Sequence, residues 1–305
     1  MFANITDLPV FNKLIQYKDF ENRISAYISL IMTIFIGIPG NCAIIYILSR
    51  MKKNIFSYSM IRCLQLLALF DLMATTGIAF KFLVQFLPFL TWFLLREGNW
   101  CHFRYAFTDA AYTGSGWCLV WVACERLVAV YVPLAYKSIS NKRFTEKILL
   151  IICSLALIIA TTQICCRPDP IERDFYMHEG KVVSYIICRR SDSSVCLIIK
   201  ESIRPFLYGF IPPVMIMIIN CFIFCRLLLR RKSSSVKVDS TQVMLMITPI
   251  VYALLYFPKS YRVARGESGI YWISMLSYLN HCINIFLYIF ICQPMRKQIL
   301  EILHL

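Results

Sequence analysis

Apolar residues occur in seven long runs that are separated by shorter polar segments. The runs cover about residues 24–49, 57–88, 98–131, 146–166, 202–229, 241–263 and 270–292. A helix needs about 20 apolar residues to cross a bilayer, so each run predicts one membrane-spanning helix. Runs that exceed this length suit tilted helices that protrude into water. The pattern predicts an all-α membrane protein, with one seven-helix transmembrane domain over residues 1–305.

The polar segments at the ends and between the runs predict smaller elements. Residues 1–23 precede the first run and form the N-terminal segment, whereas 293–305 have the pattern of a short amphipathic helix on the membrane surface. Between the fourth and fifth runs, residues 182–187 have the composition of a β-strand. Glu179-Gly180 forms a turn after residues 173–177, so this loop is predicted to contain a β-hairpin.

Composition and charge support a membrane protein and determine its orientation. Hydrophobic residues make up 59% of the chain and charged residues 16%, against about 25% charged residues in soluble domains. The net charge of +15 comes from lysines and arginines clustered between apolar runs, which argues for membrane topology and against nucleic acid binding. The loops after the first, third and fifth runs hold basic clusters with few acidic residues, so they are predicted to be cytoplasmic. The N-terminus is then extracellular, where Asn4 in Asn4-Ile5-Thr6 is a glycosylation acceptor.

Several motifs occur at mutually consistent spacings. Residues 125–134 read Glu-Arg-Leu-Val-Ala-Val-Tyr-Val-Pro-Leu, and Cys101 precedes Arg126 by 25 residues. The first run holds Gly40-Asn41, the second Leu-Ala-Leu-Phe-Asp at 67–71, and the seventh Asn-His-Cys-Ile-Asn-Ile-Phe-Leu-Tyr at 280–288. Together these motifs resemble rhodopsin-like (class A) G protein-coupled receptors, and the chain is most similar to a divergent member of the peptide-receptor type.

The resemblance implies a set of residues for G protein coupling and switching. They are Glu125, Arg126, Pro133, Tyr256, Pro258, Asn284 and Tyr288. The chain departs from the family pattern at several of these motifs. It has Glu-Arg-Leu where the family has Asp-Arg-Tyr, and Tyr256 where the family has a tryptophan. In the Asn-Pro-x-x-Tyr motif of the family, it has isoleucine in place of the proline. Lys and Arg residues of the third inner loop are expected to contact the G protein or anionic membrane lipids.

Asp71 lies in the middle of the second run, where a carboxylate costs at least about 2.5 kcal/mol without partners. The resemblance supplies Ser115, Asn280 and Asn284 as partners, with Asn41 nearby. In the family such a polar network holds a sodium ion, which hard oxygen ligands such as those of Asp71 and Ser115 suit. The alternative is a protonated Asp71 in a hydrogen-bonded network without an ion. No other cofactor is expected.

The resemblance also implies a disulfide from Cys101 to the second outer loop. Cys188 and Cys196 are the two candidates, and Cys188 is favoured because it directly follows the predicted strand. A β-hairpin that ends in the disulfide cysteine is similar to the lid of peptide receptors.

The ligand pocket is expected between the outer halves of the helices. Its candidate residues combine cations with aromatic and polar side chains: Lys81, Arg104, Thr108, Asp109, Tyr112, Tyr256, Lys259 and Arg262. Four cations on separate helices predict a ligand with a carboxylate or phosphate, or an acidic peptide. The alternative is that each cation extends towards lipid head groups. Amine receptors of the family have an aspartate seven residues after the outer cysteine, whereas this chain has Thr108 there and an aspartate at 109, which argues against an amine receptor. Retinal-binding members need a lysine in the seventh span, and residues 270–292 contain none.

The predicted function is therefore that of a plasma-membrane receptor, and not of an enzyme. A neuropeptide is the first expected ligand, and an anionic small molecule or a chemosensory cue is the second. Heterotrimeric G proteins are the expected intracellular partner, activated by outward movement of the sixth helix. The alternative of another class is a seven-span transporter or ion pump, against which the lack of internal repeats argues.

Overall fold

The computed structural model describes residues 24–51, 56–86, 99–134, 136, 140–165, 172–178, 181–187, 205–233, 240–264 and 271–302. Within them, seven long helices follow one another along the chain. We number them α1 (Ile24–Arg50), α2 (Tyr58–Phe86), α3 (Asn99–Tyr131), α4 (Lys142–Cys165), α5 (Ile211–Ser233), α6 (Ser240–Ala264) and α7 (Tyr271–Ile291). An eighth helix, α8 (Gln293–Ile302), follows directly. The helical bundle expected from the apolar runs is thus present, with bounds close to those of the runs.

Five of the described helices contain stretches long and apolar enough to cross a membrane. These stretches are Ile24–Arg50, Tyr58–Leu83, Lys142–Thr162, Ile211–Leu229 and Trp272–Ile291. In α6 a shorter apolar segment, Val243–Lys259, is found. Helix α3 is more polar, because Arg104, Asp109, Glu125 and Arg126 all lie on it. Such residues are tolerated in a membrane only where they face the interior of the bundle.

Helix α3 occupies the centre of the bundle. It packs against α2, α4, α5 and α6, and its residues Ala111, Ser115 and Cys118 are fully buried. The main hydrophobic core surrounds the inner half of α3 and includes Leu64, Leu119 and other residues of α1, α2, α5, α6 and α7. Large apolar side chains on the outer helices point away from the core, among them Phe35, Leu157, Phe224 and Phe290. This distribution suits a helix bundle surrounded by lipid.

Prolines explain the local departures from regular α-helix. A π-helical turn at Thr33–Gly37 precedes Pro39 in α1, and another at Pro205–Phe210 precedes Pro212 and Pro213 in α5. Proline donates no backbone hydrogen bond and its ring crowds the carbonyl four residues before it, so the preceding turn widens. Helix α6 contains Pro249 and Pro258 in its interior, and each removes one backbone hydrogen bond of the helix.

Two β-strands lie between α4 and α5. Strand β1 (Glu172–His178) pairs antiparallel with β2 (Lys181–Ile187), with Glu172 opposite Ile187 and His178 opposite Lys181. The segment predicted as a strand, 182–187, falls within β2. The predicted turn at Glu179-Gly180 lies outside the described residues.

Helix α8 turns away from α7 without a break in backbone hydrogen bonding. The amide of Cys292 donates to the carbonyl of Tyr288, and that of Arg296 to the carbonyl of Cys292. Cys292 and Met295 are fully buried against the core, so α8 is anchored by its apolar face. This is the amphipathic helix expected at residues 293–305, ending in the structure at Ile302.

Candidate functional site

Asp71 lies fully buried in α2 and binds side chains from two other helices. Its Oδ1 atom is 2.7 Å from Ser115 Oγ of α3 and 2.7 Å from His281 Nδ1 of α7. Its Oδ2 atom accepts a hydrogen bond of 2.6 Å from Asn284 Nδ2, also of α7. Three side chains therefore hydrogen-bond to one completely buried carboxyl group. They tie α2, α3 and α7 together at the middle of the bundle.

Asn41 joins this cluster through the backbone. Its Nδ2 atom donates to the carbonyls of Gly37 and His281, at 2.9 Å each. Asn280 is also buried, but within the described part of the chain no hydrogen bond connects it to Asp71. Of the predicted polar network, the structure brings Ser115 and Asn284 to Asp71 directly and Asn41 indirectly.

His281 is the member of the cluster that sequence reasoning missed. The four histidines are dispersed along the chain and fit no metal or catalytic spacing, so none was expected to matter. The available signal was its position on α7, three residues before Asn284, which places both side chains on one helix face. His281 is fully buried, and its ring stacks on that of Tyr112 with centroids 5.0 Å apart.

Aromatic rings continue from His281 to the predicted ligand pocket. The Tyr112 ring meets Tyr256 edge-on at 6.1 Å, and Tyr256 stacks on Tyr252 at 5.4 Å. All three tyrosines are buried. Tyr256, predicted as the aromatic switch of α6, thus contacts rings of both α3 and α6.

Lys259 lies above these rings, one residue after Pro258 on α6. Its Nζ atom is 4.8 Å from the Tyr112 ring centre, 5.4 Å from that of Tyr256 and 5.6 Å from that of Tyr278. Ser277 Oγ lies 3.2 Å from the same atom. An ammonium group close to several aromatic faces is stabilised by their quadrupoles.

Lys81 of α2 approaches the same tyrosine of α7. Its Nζ atom is 3.4 Å from Tyr278 OH and 5.0 Å from the Phe82 ring centre. Two of the four predicted cations, Lys81 and Lys259, therefore meet around Tyr278, a residue that sequence reasoning did not select.

The other predicted pocket residues lie on α3 and at the end of α6. Arg104 lies over the ring of its neighbour Tyr105, at 4.6 Å, and its carbonyl accepts a hydrogen bond from Thr108. Asp109 is buried, and its carbonyl accepts from Thr113. Arg262 is half-buried in the last turn of α6.

At the opposite end of α3, three hydroxyl groups bind the buried Glu125. Ser57 Oγ, in the connection between α1 and α2, donates to Glu125 Oε1 at 3.1 Å. Ser59 Oγ of α2 donates to Oε2 at the same distance. Tyr136 OH donates to Oε1 at 3.2 Å. These donors satisfy a carboxylate that is otherwise costly to bury.

Arg126 interacts with Glu125 through Tyr136. Its Nη2 atom donates to Tyr136 OH at 3.4 Å, and its guanidinium lies 5.9 Å from that ring centre. Among the described residues, no direct ion pair joins Arg126 to Glu125, and Arg126 Nε is buried without a partner. Pro133 follows in the exposed segment after α3, whereas Tyr288 of α7 is buried in the main core.

The remaining predicted sites fall at or beyond the limits of the described structure. Cys101 lies in the first turn of α3, but its side chain is outside the described part, as are Cys188 and Asn4 in full. The predicted disulfide and glycosylation site therefore remain predictions. No group of three or more His, Cys, Asp or Glu side chains suited to a metal occurs among the residues that the structure describes.

Comparison with known proteins finds one receptor family that is similar to part of the chain. The family described as "Serpentine type 7TM GPCR chemoreceptor Srsx" matches the chain over residues 34–169, just under half of its length. No curated protein matches the chain. The matched segment includes α2 and α3, and so contains Asp71, Ser115, Glu125 and Arg126. The resemblance to G protein-coupled receptors is confirmed and the matched family is one of chemoreceptors, whereas the rhodopsin-like, peptide-receptor type stays a prediction.

Proposed function

We propose that this chain is a multi-pass plasma-membrane G protein-coupled chemoreceptor. The observation that carries the proposal is the arrangement along α3. Its outer half contributes Tyr112 to a cluster of lysines and aromatic rings, its middle contributes Ser115 to the Asp71 cluster, and its inner end carries Glu125 and Arg126. The match to a chemoreceptor family over residues 34–169 supports the same function.

The ligand class that fits the pocket is a small organic acid. Lys81 and Lys259 come from α2 and α6 and both contact Tyr278 of α7. Tyr112 and Tyr256 provide apolar faces beside Lys259. A carboxylate or phosphate can bind two ammonium groups by charge-assisted hydrogen bonds, while its organic part packs on the rings. Both lysines are only half-buried, which leaves part of each side chain accessible.

Ligand binding would change the position of α6 through Tyr112. This ring contacts Lys259 on one side and stacks on His281, which binds Asp71. An anion that draws Lys259 outwards changes the packing of Tyr112 and Tyr256, and so favours a different position of α6. A ligand drives this shift only by binding the active state more tightly than the inactive state. The inner end of α6 then moves outwards, and Arg126 and Tyr288 contact the G protein.

The test is a second-messenger assay in cells that express the full chain with a promiscuous Gα subunit. The probes are mono- and dicarboxylic acids and phosphate esters, each paired with its uncharged methyl ester or alcohol. We expect responses to acids only, absent from Arg126→Ala at equal surface expression. Responses to esters and acids alike would overturn the anionic ligand class.

A matched pair of lysine variants tests the pocket itself. Lys259→Gln removes the charge near the three rings, and Lys147→Gln removes an exposed charge on α4. We expect the half-maximal concentration for an active acid to rise at least about tenfold in Lys259→Gln and to stay unchanged in Lys147→Gln. Equal effects of the two substitutions would contradict the proposed site.

A neuropeptide is the second candidate ligand. The antiparallel pairing of β1 with β2 supports it, because a strand pair between α4 and α5 is where a peptide-binding lid was expected. The extracellular N-terminus and the Cys101–Cys188 disulfide belong to the same proposal. Replacement of residues 172–187 by a Gly-Ser linker distinguishes the two candidates: a peptide response is lost with the strands, and an organic-acid response survives.

A further inference from the structure

His281 takes a position beside Asp71 where the family resemblance led us to expect a sodium ion. Its Nδ1 atom is 2.7 Å from Asp71 Oδ1, the same oxygen that Ser115 contacts, and Asn284 Nδ2 lies 2.6 Å from Oδ2. Both His281 and Asp71 are completely buried. Among the described residues, the side-chain hydrogen bonds to this carboxyl group are thus made by the hydroxyl of Ser115, the amide of Asn284 and the imidazole of His281.

These contacts do not fit a bound cation. A carboxyl group must be ionised to bind a cation, and an ionised carboxylate only accepts hydrogen bonds, so in that form His281 Nδ1 and Asn284 Nδ2 direct their hydrogens at its oxygens. These hydrogens carry partial positive charge and lie beside the carboxylate oxygens. A hard cation needs that same space, surrounded by oxygen ligands. The geometry requires only a proton on Nδ1, which both the neutral and the cationic imidazole can carry.

The surrounding side chains hold the imidazole in this place. Tyr112 stacks on its face, with an angle of 12° between the rings, and Asn41 Nδ2 binds the His281 carbonyl. Asn41 Oδ1 is a buried oxygen without a partner among the described residues. A hard cation requires several oxygen ligands, and the oxygens of Asp71 and Ser115 are already engaged in hydrogen bonds with each other, with His281 and with Asn284.

We propose that His281 replaces sodium as the partner of Asp71, so that the α2–α3–α7 junction is held by an internal hydrogen-bond donor and is insensitive to sodium. The proposal goes beyond the receptor function and does not depend on which ligand the receptor binds. It predicts that the variant His281→Ser, which exchanges the ring for a small hydroxyl group, acquires the sodium dependence that the intact chain lacks.

The test measures the melting temperature of the purified full chain in sodium chloride and in choline chloride, each at about 0.15 M, so that screening is equal. Asp71→Asn serves as the control for ion effects elsewhere on the protein. For the intact chain we expect the same melting temperature in both salts, within about 1 °C. For His281→Ser we expect a lower melting temperature in choline and a recovery of about 3 °C or more in sodium.

A higher melting temperature of the intact chain in sodium than in choline, lost in Asp71→Asn, would overturn the proposal. This comparison needs no change at His281, so it decides the question even if His281→Ser fails to fold. Equal melting temperatures of the intact chain and a sodium response of His281→Ser would together establish the replacement.

Discussion

At the scale of single residues, Tyr136 determines how Glu125 and Arg126 interact. Its hydroxyl donates to Glu125 Oε1 and accepts from Arg126 Nη2. Glu125 is satisfied by three hydroxyls, two of them from Ser57 and Ser59. Arg126 is therefore held by one neutral oxygen and one ring face, which is a weaker restraint than a direct ion pair with a carboxylate. The position of Arg126 therefore depends on Tyr136.

The first prediction concerns this hydroxyl. Tyr136→Phe keeps the ring but removes the acceptor for Arg126 and one donor to Glu125. Loss of a hydrogen bond to a charged group costs about 1.5–3 kcal/mol, so we expect ligand-free signalling to rise several-fold. The measurement is basal second-messenger production divided by surface expression.

The matched control is Tyr58→Phe. Tyr58 OH also bonds a glutamate, Glu146 of α4, but in an exposed position away from Arg126. Basal signalling of this variant should equal that of the intact chain. If Tyr136→Phe also leaves basal signalling unchanged, Arg126 is restrained by other contacts.

The second prediction concerns Ser115. Its hydroxyl donates to the buried Asp71 carboxylate at 2.7 Å, so Ser115→Ala leaves a buried charge with one donor fewer. We expect the free energy of unfolding to fall by about 1–3 kcal/mol. Thermal unfolding of the purified chain measures this change. Ser49→Ala, which removes an exposed hydroxyl bonded to the Tyr46 carbonyl, should change stability by less than about 0.5 kcal/mol.

At the scale of elements, glycines set the distance between α3 and its neighbours. A Cβ atom at Gly114 would collide with the ring of Phe70 on α2. A Cβ atom at Gly116 would lie 2.7 Å from Tyr252 OH of α6. Ser115, between them, can reach Asp71 only because α2 and α3 approach this closely. The small residues of α3 thus position the polar cluster.

The third prediction tests this close approach. Gly114→Ala forces α2 and α3 apart or moves the Phe70 ring, which costs about 1–3 kcal/mol of stability. Gly77→Ala is the milder comparison, since the nearest atom to its Cβ would be Thr108 Oγ1 at 3.1 Å, with the Phe107 ring in ordinary contact at 3.5 Å. Thermal unfolding should therefore rank Gly114→Ala below Gly77→Ala and the intact chain. Phe70→Leu, added to Gly114→Ala, should restore part of the loss, and a failure to restore any would place the strain elsewhere.

The extent of each helix could be predicted from the sequence, whereas most contacts between side chains could not. Long apolar runs predict helices because no other backbone can satisfy its hydrogen bonds in lipid. The partnership of Asp71 with Ser115 and Asn284 followed from a resemblance in motif spacing. His281, Tyr136 and Tyr278 were missed, because their importance arises from the rotation and tilt of α7 and the path of the segment after α3. Hydrophobic periodicity does not specify these features at the level of single atoms.

At the scale of the whole molecule, the predicted orientation in the membrane rests on how basic and acidic residues are distributed between the two sides. The segments predicted to be cytoplasmic contain 16 of the 32 lysines and arginines, with only Glu125, Glu146, Asp239 and Glu301 as acidic residues. Glu125 and Arg126 lie near the end of α3 that is close to the start of α2. Lys81, near the end of α2, and Lys259 of α6 lie on the opposite side of the bundle. If the basic loops are inside, the two lysines lie in the outer half of the bundle, where the proposed binding of an external ligand requires them.

The last prediction tests this orientation with glycosylation, which occurs only on the lumenal side. Asn4-Ile5-Thr6 should be glycosylated, so Thr6→Ala should abolish the mobility shift that a glycosidase produces, while Thr6→Ser should retain it. Asp239→Asn provides the internal comparison, because it creates an acceptor before Ser240 and Thr241 in the connection between α5 and α6. In a Thr6→Ala background this new acceptor should stay unmodified, since that connection is predicted to face the cytoplasm. A glycosidase-sensitive shift from Asp239→Asn would reverse the orientation, and with it the assignment of the lysine pocket to the outer face.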